Sequence, residues 1–112
     1  MFPINSLPLY PLLALSVRSG NNTLLAAVAS KKIRVLAMNI ISAAANNIYI
    51  TTGAGGSVIW AGSTNKANFA ANGGIVLPFS PVGWFETGSN AALVMNLSAA
   101  SAVSGSITYV EV

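Results

Sequence analysis

Charged residues are scarce in this chain. Its 112 residues include five Lys and Arg and two Glu, and there is no Asp, His or Cys. An ordinary soluble domain carries roughly a quarter Asp, Glu, Lys and Arg. Those residues keep a monomer soluble and blunt the edges of its sheets. A chain without them is expected either in a membrane or against other protein. The same absences remove most side chains that do chemistry. Acid–base catalysis needs a group that titrates near working pH. Glu86 and Glu111 are the only side-chain carboxylates, and nothing in their positions brings them to one cleft as a glycosidase pair requires. Zero cysteines exclude disulfides and thiolate metal sites, and the other usual metal ligands are nearly all missing. The expectation is a non-enzymatic protein with no cofactor and no metal.

Long apolar runs are missing as well. A membrane helix needs about 20 predominantly apolar residues, and Gly, Asn and Ser interrupt every run here. Most of the runs are nearer six residues, shorter than the strands of about 9–11 residues that a transmembrane barrel uses. Residues 2–17 are apolar, but Pro3, Pro8 and Pro11 break them and no positive charge precedes them. No targeting signal and no membrane partner are expected.

What is present is 54% hydrophobic residues, carried heavily by Ala, in a chain long enough for one core. Two parts are expected. Residues 1–22 read as an extended, proline-containing apolar arm, because each proline fixes its own backbone and pushes its predecessor toward extended geometry. Gly20, Asn21 and Asn22 are expected to close it as a turn. Residues 23–112 read as a β-sandwich of about eight short strands, with turn signals every 8–12 residues. Candidate strands are 23–29, 32–41 (KIRVLAMNII), 47–52 (NIYITT), 57–61, 66–70, 75–79, 84–87, 92–98 and 106–112. A helix over 24–38 is disfavoured by β-branched Ile33 and Val35 and by the lack of a capping pattern.

Alternation in 33–41 puts Ile33, Val35, Ala37 and Ile41 on one side and Leu36, Met38 and Ile40 on the other. Both sides are largely apolar, unlike a sheet with one wet face. A second subunit is therefore expected over one face. ISAAANNIYI and LSAASAVSGSITYV echo one another and suggest two similar hairpins, with chance as the competing account.

The remaining motifs are bland. The cluster Gly53-Ala54-Gly55-Gly56-Ser57 lacks the Lys-Ser/Thr ending of a P-loop and reads as a hairpin turn. Lys31, Lys32 and Arg34 are too narrow a footprint for nucleic acid and read as a solvated strand start. The sequons Asn21-Asn22-Thr23 and Asn96-Leu97-Ser98 read as chance. Trp84-Phe85 follows Pro81-Val82-Gly83 in a loop, and Trp84 is either core or interface anchor. The candidate interface residues are Phe2, Ile4, Leu7, Leu9, Tyr10 and Leu12 of the arm, with Trp84 and Phe85. The arm is expected to leave its own domain and lie on a neighbour.

The segments KKIRVLAMNI, GGIVLPFSPVGWFETGSNAALVMNLS and SGSITYVEV resemble those of small virion-associated proteins of tailed bacteriophages, over roughly residues 31–112. The resemblance is one of phrasing and strand rhythm. It implies a jelly-roll-like antiparallel β-sandwich that oligomerises, as a trimer at capsid three-fold positions, on the outer capsid surface of the virion. The implied partners are further copies of the chain and the major capsid protein, with no nucleic acid and no membrane. Two other readings stay open: a phage tail or fibre domain that binds a host receptor, and a non-viral self-assembling β protein. Fibre tips usually sit on long stalks, and no stalk is visible here.

Overall fold

The computed structural model describes the backbone of residues 9–12 and residues 19–112. Among the described residues, ten strands form two five-stranded antiparallel sheets. They are β1 (Leu9–Leu12), β2 (Gly20–Leu25), β3 (Ile33–Ser42), β4 (Asn46–Thr52), β5 (Val58–Trp60), β6 (Ala67–Phe69), β7 (Gly74–Leu77), β8 (Phe85–Glu86), β9 (Leu93–Leu97) and β10 (Val103–Glu111). Sheet A runs β1-β10-β3-β7, with β8 also on β3. Sheet B runs β2-β9-β4-β5, with β6 also on β4. The outer pairing is nested: β1 with β10, β2 with β9, β3 with β7 and β8, β4 with β5 and β6. Consecutive long strands cross between sheets, so β3 hands over to β4 and β9 hands over to β10.

The core lies between the long central strands. Ile33, Val35, Met38 and Ile40 of β3 and Val103, Ile107 and Tyr109 of β10 face Ile48 and Ile50 of β4 and Leu93, Met95 and Leu97 of β9. Burying each Ile or Leu side chain stabilises by roughly 1.5–3 kcal/mol. Trp60, Phe69 and Phe85 pack on the rim of this core.

The two-faced reading of β3 is corrected here. The register with β10 slips between Thr108 and Tyr109, which oppose Ala37 and Val35, so Leu36 is an extra residue on β3. A bulge of this kind flips the faces beyond it. Ile33 and Val35 before it, and Met38 and Ile40 after it, all turn into the core. Ala37, Asn39 and Ile41 are left on the outer side. Leu36 itself is buried at the bulge.

Three further expectations change. Residues 20–22 are strand, not turn: Gly20 opposes Leu97, Asn21 opposes Asn96 and Asn22 opposes Met95. The echoing segments are not hairpins but the two crossovers β3–β4 and β9–β10, which lie together through Ala43 N to Ala102 O. Asn46 in the first crossover also donates to Ala99 O and to Ser101 Oγ in the second. Finally, Leu9, Tyr10 and Leu12 do not leave the domain. They sit in β1, the edge of sheet A, in register with Thr108, Ile107 and Gly105 of the same chain. Pro11 is tolerated because an edge strand needs only one of its two rows of hydrogen bonds.

Candidate interaction surface

The bulge at Leu36 also anchors a loop. β7 pairs with residues 38–41 of β3 and β8 with Arg34 and Val35, so the chain between them passes the bulge. Its carbonyls are taken up there: Ser80 N donates to Leu36 O at 2.9 Å and Trp84 N to Val35 O at 2.8 Å. The indole Nε1 of Trp84 donates to Pro78 O at 2.8 Å. The ring is thereby oriented while the side chain stays 47% exposed. Gly83 adopts φ +86, and a Cβ there would lie 2.6 Å from Cγ of Arg34. Glycine at this position lets the arginine stem pass under the loop.

Arg34 then meets the next strand. Its Nε donates to Glu86 Oε1 at 2.8 Å, and Lys32 Nζ lies 3.5 Å from Glu86 Oε2. The Arg34 hydrogen bond, with the charge of Lys32 beside it, holds the Glu86 carboxyl below its usual range, against a smaller opposing effect of burial. Two of the three clustered cations are thus engaged with one carboxylate.

Outside the sheet, β3, β7 and the loop form an apolar ridge. Ile41 is 54% exposed, Val76 71% and Phe79 44%. Val76 opposes Asn39 across the ladder, and Gly74 opposes Ile41 without a side chain to cover it. Val76 lines two hollows. One, of about 220 Å³, is shared with Ala37, Phe79, Ser106 and Thr108. The other is shared with Asn39 and Ile41. Asn39 Nδ2 donates to Ser106 Oγ at 2.8 Å, a single polar tie beside the ridge. Val82 and Trp84 are further exposed apolar residues, on the same β7–β8 loop as Phe79. Contiguous exposed apolar surface is a mark of interaction sites.

The sequence-derived interface residues divide accordingly. Phe2, Ile4 and Leu7 lie outside the described residues. Leu9, Tyr10 and Leu12 edge sheet A on the side of β10, and Trp84 lies on its opposite side, beyond β3. Trp84, at the end of the β7–β8 loop, is exposed, whereas Phe85, the first residue of β8, packs on the core. Ile41, Val76, Phe79 and Val82 were not legible as surface residues. Their exposure depends on the bulge and on the course of the loop, neither of which leaves a local signal. Among the described residues no group of three His, Cys, Asp or Glu is assembled that could hold a metal, and no helix is long and apolar enough to cross a membrane. No family model, no curated protein and no solved structure matches the chain.

Proposed function

We propose that this is a non-enzymatic structural protein of a phage virion: a capsid decoration protein on the outer capsid surface. It forms a homotrimer and stabilises contacts between major capsid subunits. The observation that carries the reading is the exposed apolar ridge of Ile41, Val76 and Phe79, with Val82 and Trp84 exposed on the same loop as Phe79, on a chain with only two acidic and five basic residues. Such a surface serves burial against protein better than exposure to water. The nested strand order supports the finer reading of the sandwich as a jelly roll, an architecture that recurs in viral capsid domains. The resemblance to small virion-associated proteins points the same way. No cofactor, nucleic acid or membrane is needed.

The test is co-assembly. The protein is produced with the major capsid protein of the same genome, and particles are separated on a density gradient. Co-sedimentation with capsids at a fixed ratio is expected, with loss on substitution of Val76 and Trp84 by polar residues. Protein that stays at the top of the gradient, or that appears only on tails, overturns the proposal.

A further inference from the structure

The two outer faces of the sandwich differ in chemistry. The face of sheet A carries the apolar ridge; that of sheet B has an amide patch beside a row of Thr23, Val94, Thr51 and Val58. Register places Asn21, Asn96 and Tyr49 in one row across β2, β9 and β4. Asn47 opposes Asn68 across β4 and β6 in the row beside it. Asn21, Asn47, Asn68 and Ser98 are exposed, and Asn96 and Tyr49 half-buried. Asn96 Nδ2 donates to Asn21 Oδ1 at 3.0 Å. Among the described residues, Lys66 brings a charge to this patch, with its Nζ 5.7 Å from the centre of the Tyr49 ring.

Asparagine is depleted from strands, and a merely wet sheet face is usually served by Thr, Lys and Glu. Four asparagines on four adjacent strands break a local rule at one place. Such breaks concentrate at functional sites. Each amide offers both donors and acceptors, and four strands at a spacing of roughly 4.8 Å make a flat patch about 14 Å across. The sugar hydroxyl likewise both donates and accepts, and the C–H face of a pyranose packs on an aromatic ring. Low formal charge matches a neutral ligand.

We infer that the outer face of sheet B is a binding site for neutral oligosaccharides, with Asn21, Asn96, Asn47 and Asn68 as the hydroxyl-reading groups and Tyr49 as the stacking platform. The site lies on the sheet opposite the apolar ridge and does not rest on the capsid reading.

The test uses the full chain on a printed panel of neutral hexose and N-acetylhexosamine oligosaccharides beside sialylated and sulfated ones. Titration calorimetry follows with the oligosaccharide that binds. Retention of a neutral member is expected, and Tyr49→Ala is expected to lower affinity by about tenfold or more. Asn47→Ala and Asn68→Ala, at exposed positions, provide the same readout should Tyr49→Ala fail to fold. Glu111→Gln, on sheet A, is expected to bind as the parent does. The inference is overturned if no neutral sugar is retained, if the amide variants bind unchanged, or if only acidic sugars bind and Lys66→Gln abolishes it.

Discussion

Arg34 Nε donates to Glu86 Oε1 at 2.8 Å across directly opposed positions of β3 and β8. The pair closes β8 onto the sheet next to the loop that carries Trp84. Both side chains are about a third exposed, so its contribution is that of a surface pair, about 0.2–1 kcal/mol in a double-mutant cycle. The Arg34 hydrogen bond holds the Glu86 carboxyl below the usual glutamate range in the folded protein. Its stabilisation is therefore complete above the unfolded pKa and disappears as pH falls through the lower folded value. Urea unfolding of the parent and Glu86→Gln is expected to differ at pH 7 and to start converging only below about pH 4, where the unfolded carboxyl takes up its proton. A constant difference across that range contradicts the pairing.

A second junction has more at stake. Asn46 is 3% exposed. Its Oδ1 accepts from Ser98 N, Ser98 Oγ and Ala99 N, and its Nδ2 donates to Ala99 O and Ser101 Oγ. One side chain thus ties the two crossovers together. Asn46→Ala strands several of these groups, and each unsatisfied buried group costs about 1–3 kcal/mol. A loss of roughly 2–4 kcal/mol in unfolding free energy is expected. Asn46→Asp keeps the acceptor and loses the donor, so it should fall between. Equal stability of all three would show that the crossovers are held by other contacts.

The bulge at Leu36 yields the sharpest test of the fold. Deleting residue 36 removes the register slip and restores simple alternation, so Ile33, Val35, Met38 and Ile40 all keep their inward positions. What is lost is the buried Leu36 side chain and the carbonyl that accepts from Ser80 N. The deletion variant is expected to unfold cooperatively, with a loss of about 2–5 kcal/mol. Leu36→Val keeps the extra residue and should cost only about 1–2 kcal/mol. A deletion variant without a cooperative transition would mean that the slip lies elsewhere.

Much of this architecture is legible in the sequence, and what is not has a common cause. Strands 33–41 and 47–52 announce themselves through β-branched residues, and the Gly53–Gly56 and Asn72–Gly74 segments through turn chemistry, all local properties. The bulge is set by the pairing of β3 with β10, some seventy residues apart in the chain. Alternation read without it groups Ile41 with Ile33 and Val35, although Ile41 faces out. Residues 20–22 read as a turn because Gly and Asn are poor strand formers; their pairing with β9 overrides that preference. Phe85 and Trp84 carry the same local signal, and only the course of the β7–β8 loop separates them. The amide row of sheet B is likewise invisible locally, since its members come from four separate strands.

Val76 and Trp84 provide a surface test. Val76 is exposed, so Val76→Ser should change the stability of the isolated subunit by little, about 0.5 kcal/mol, whereas Trp84→Ser also loses the indole hydrogen bond to Pro78 O and should cost about 1–2 kcal/mol. If the ridge is buried between copies, the double variant will sediment as a smaller species than the parent at micromolar concentration. A parent that is itself monomeric at that concentration removes self-association from the proposal. A stable dimer removes only the trimer.

The last prediction concerns the first strand. Residues 9–12 lie on β10 over Gly105–Thr108, which makes β10 an internal strand. Deleting residues 2–17 removes four cross-strand pairs, together about 1–3 kcal/mol at the usual value for each. It also turns β10, a strand of nine residues whose only charge is Glu111, into an open edge. Open, uncharged edges pair with other chains. The truncated protein is therefore expected to keep its β-type far-ultraviolet spectrum, to unfold at lower urea concentration, and to aggregate in a concentration-dependent way. An added charge at the new edge, such as Thr108→Lys, should suppress the aggregation without restoring the stability. If truncation leaves both stability and solubility unchanged, while attachment to capsids is lost, residues 9–12 act outside their own sheet and the pairing with β10 is not what holds them.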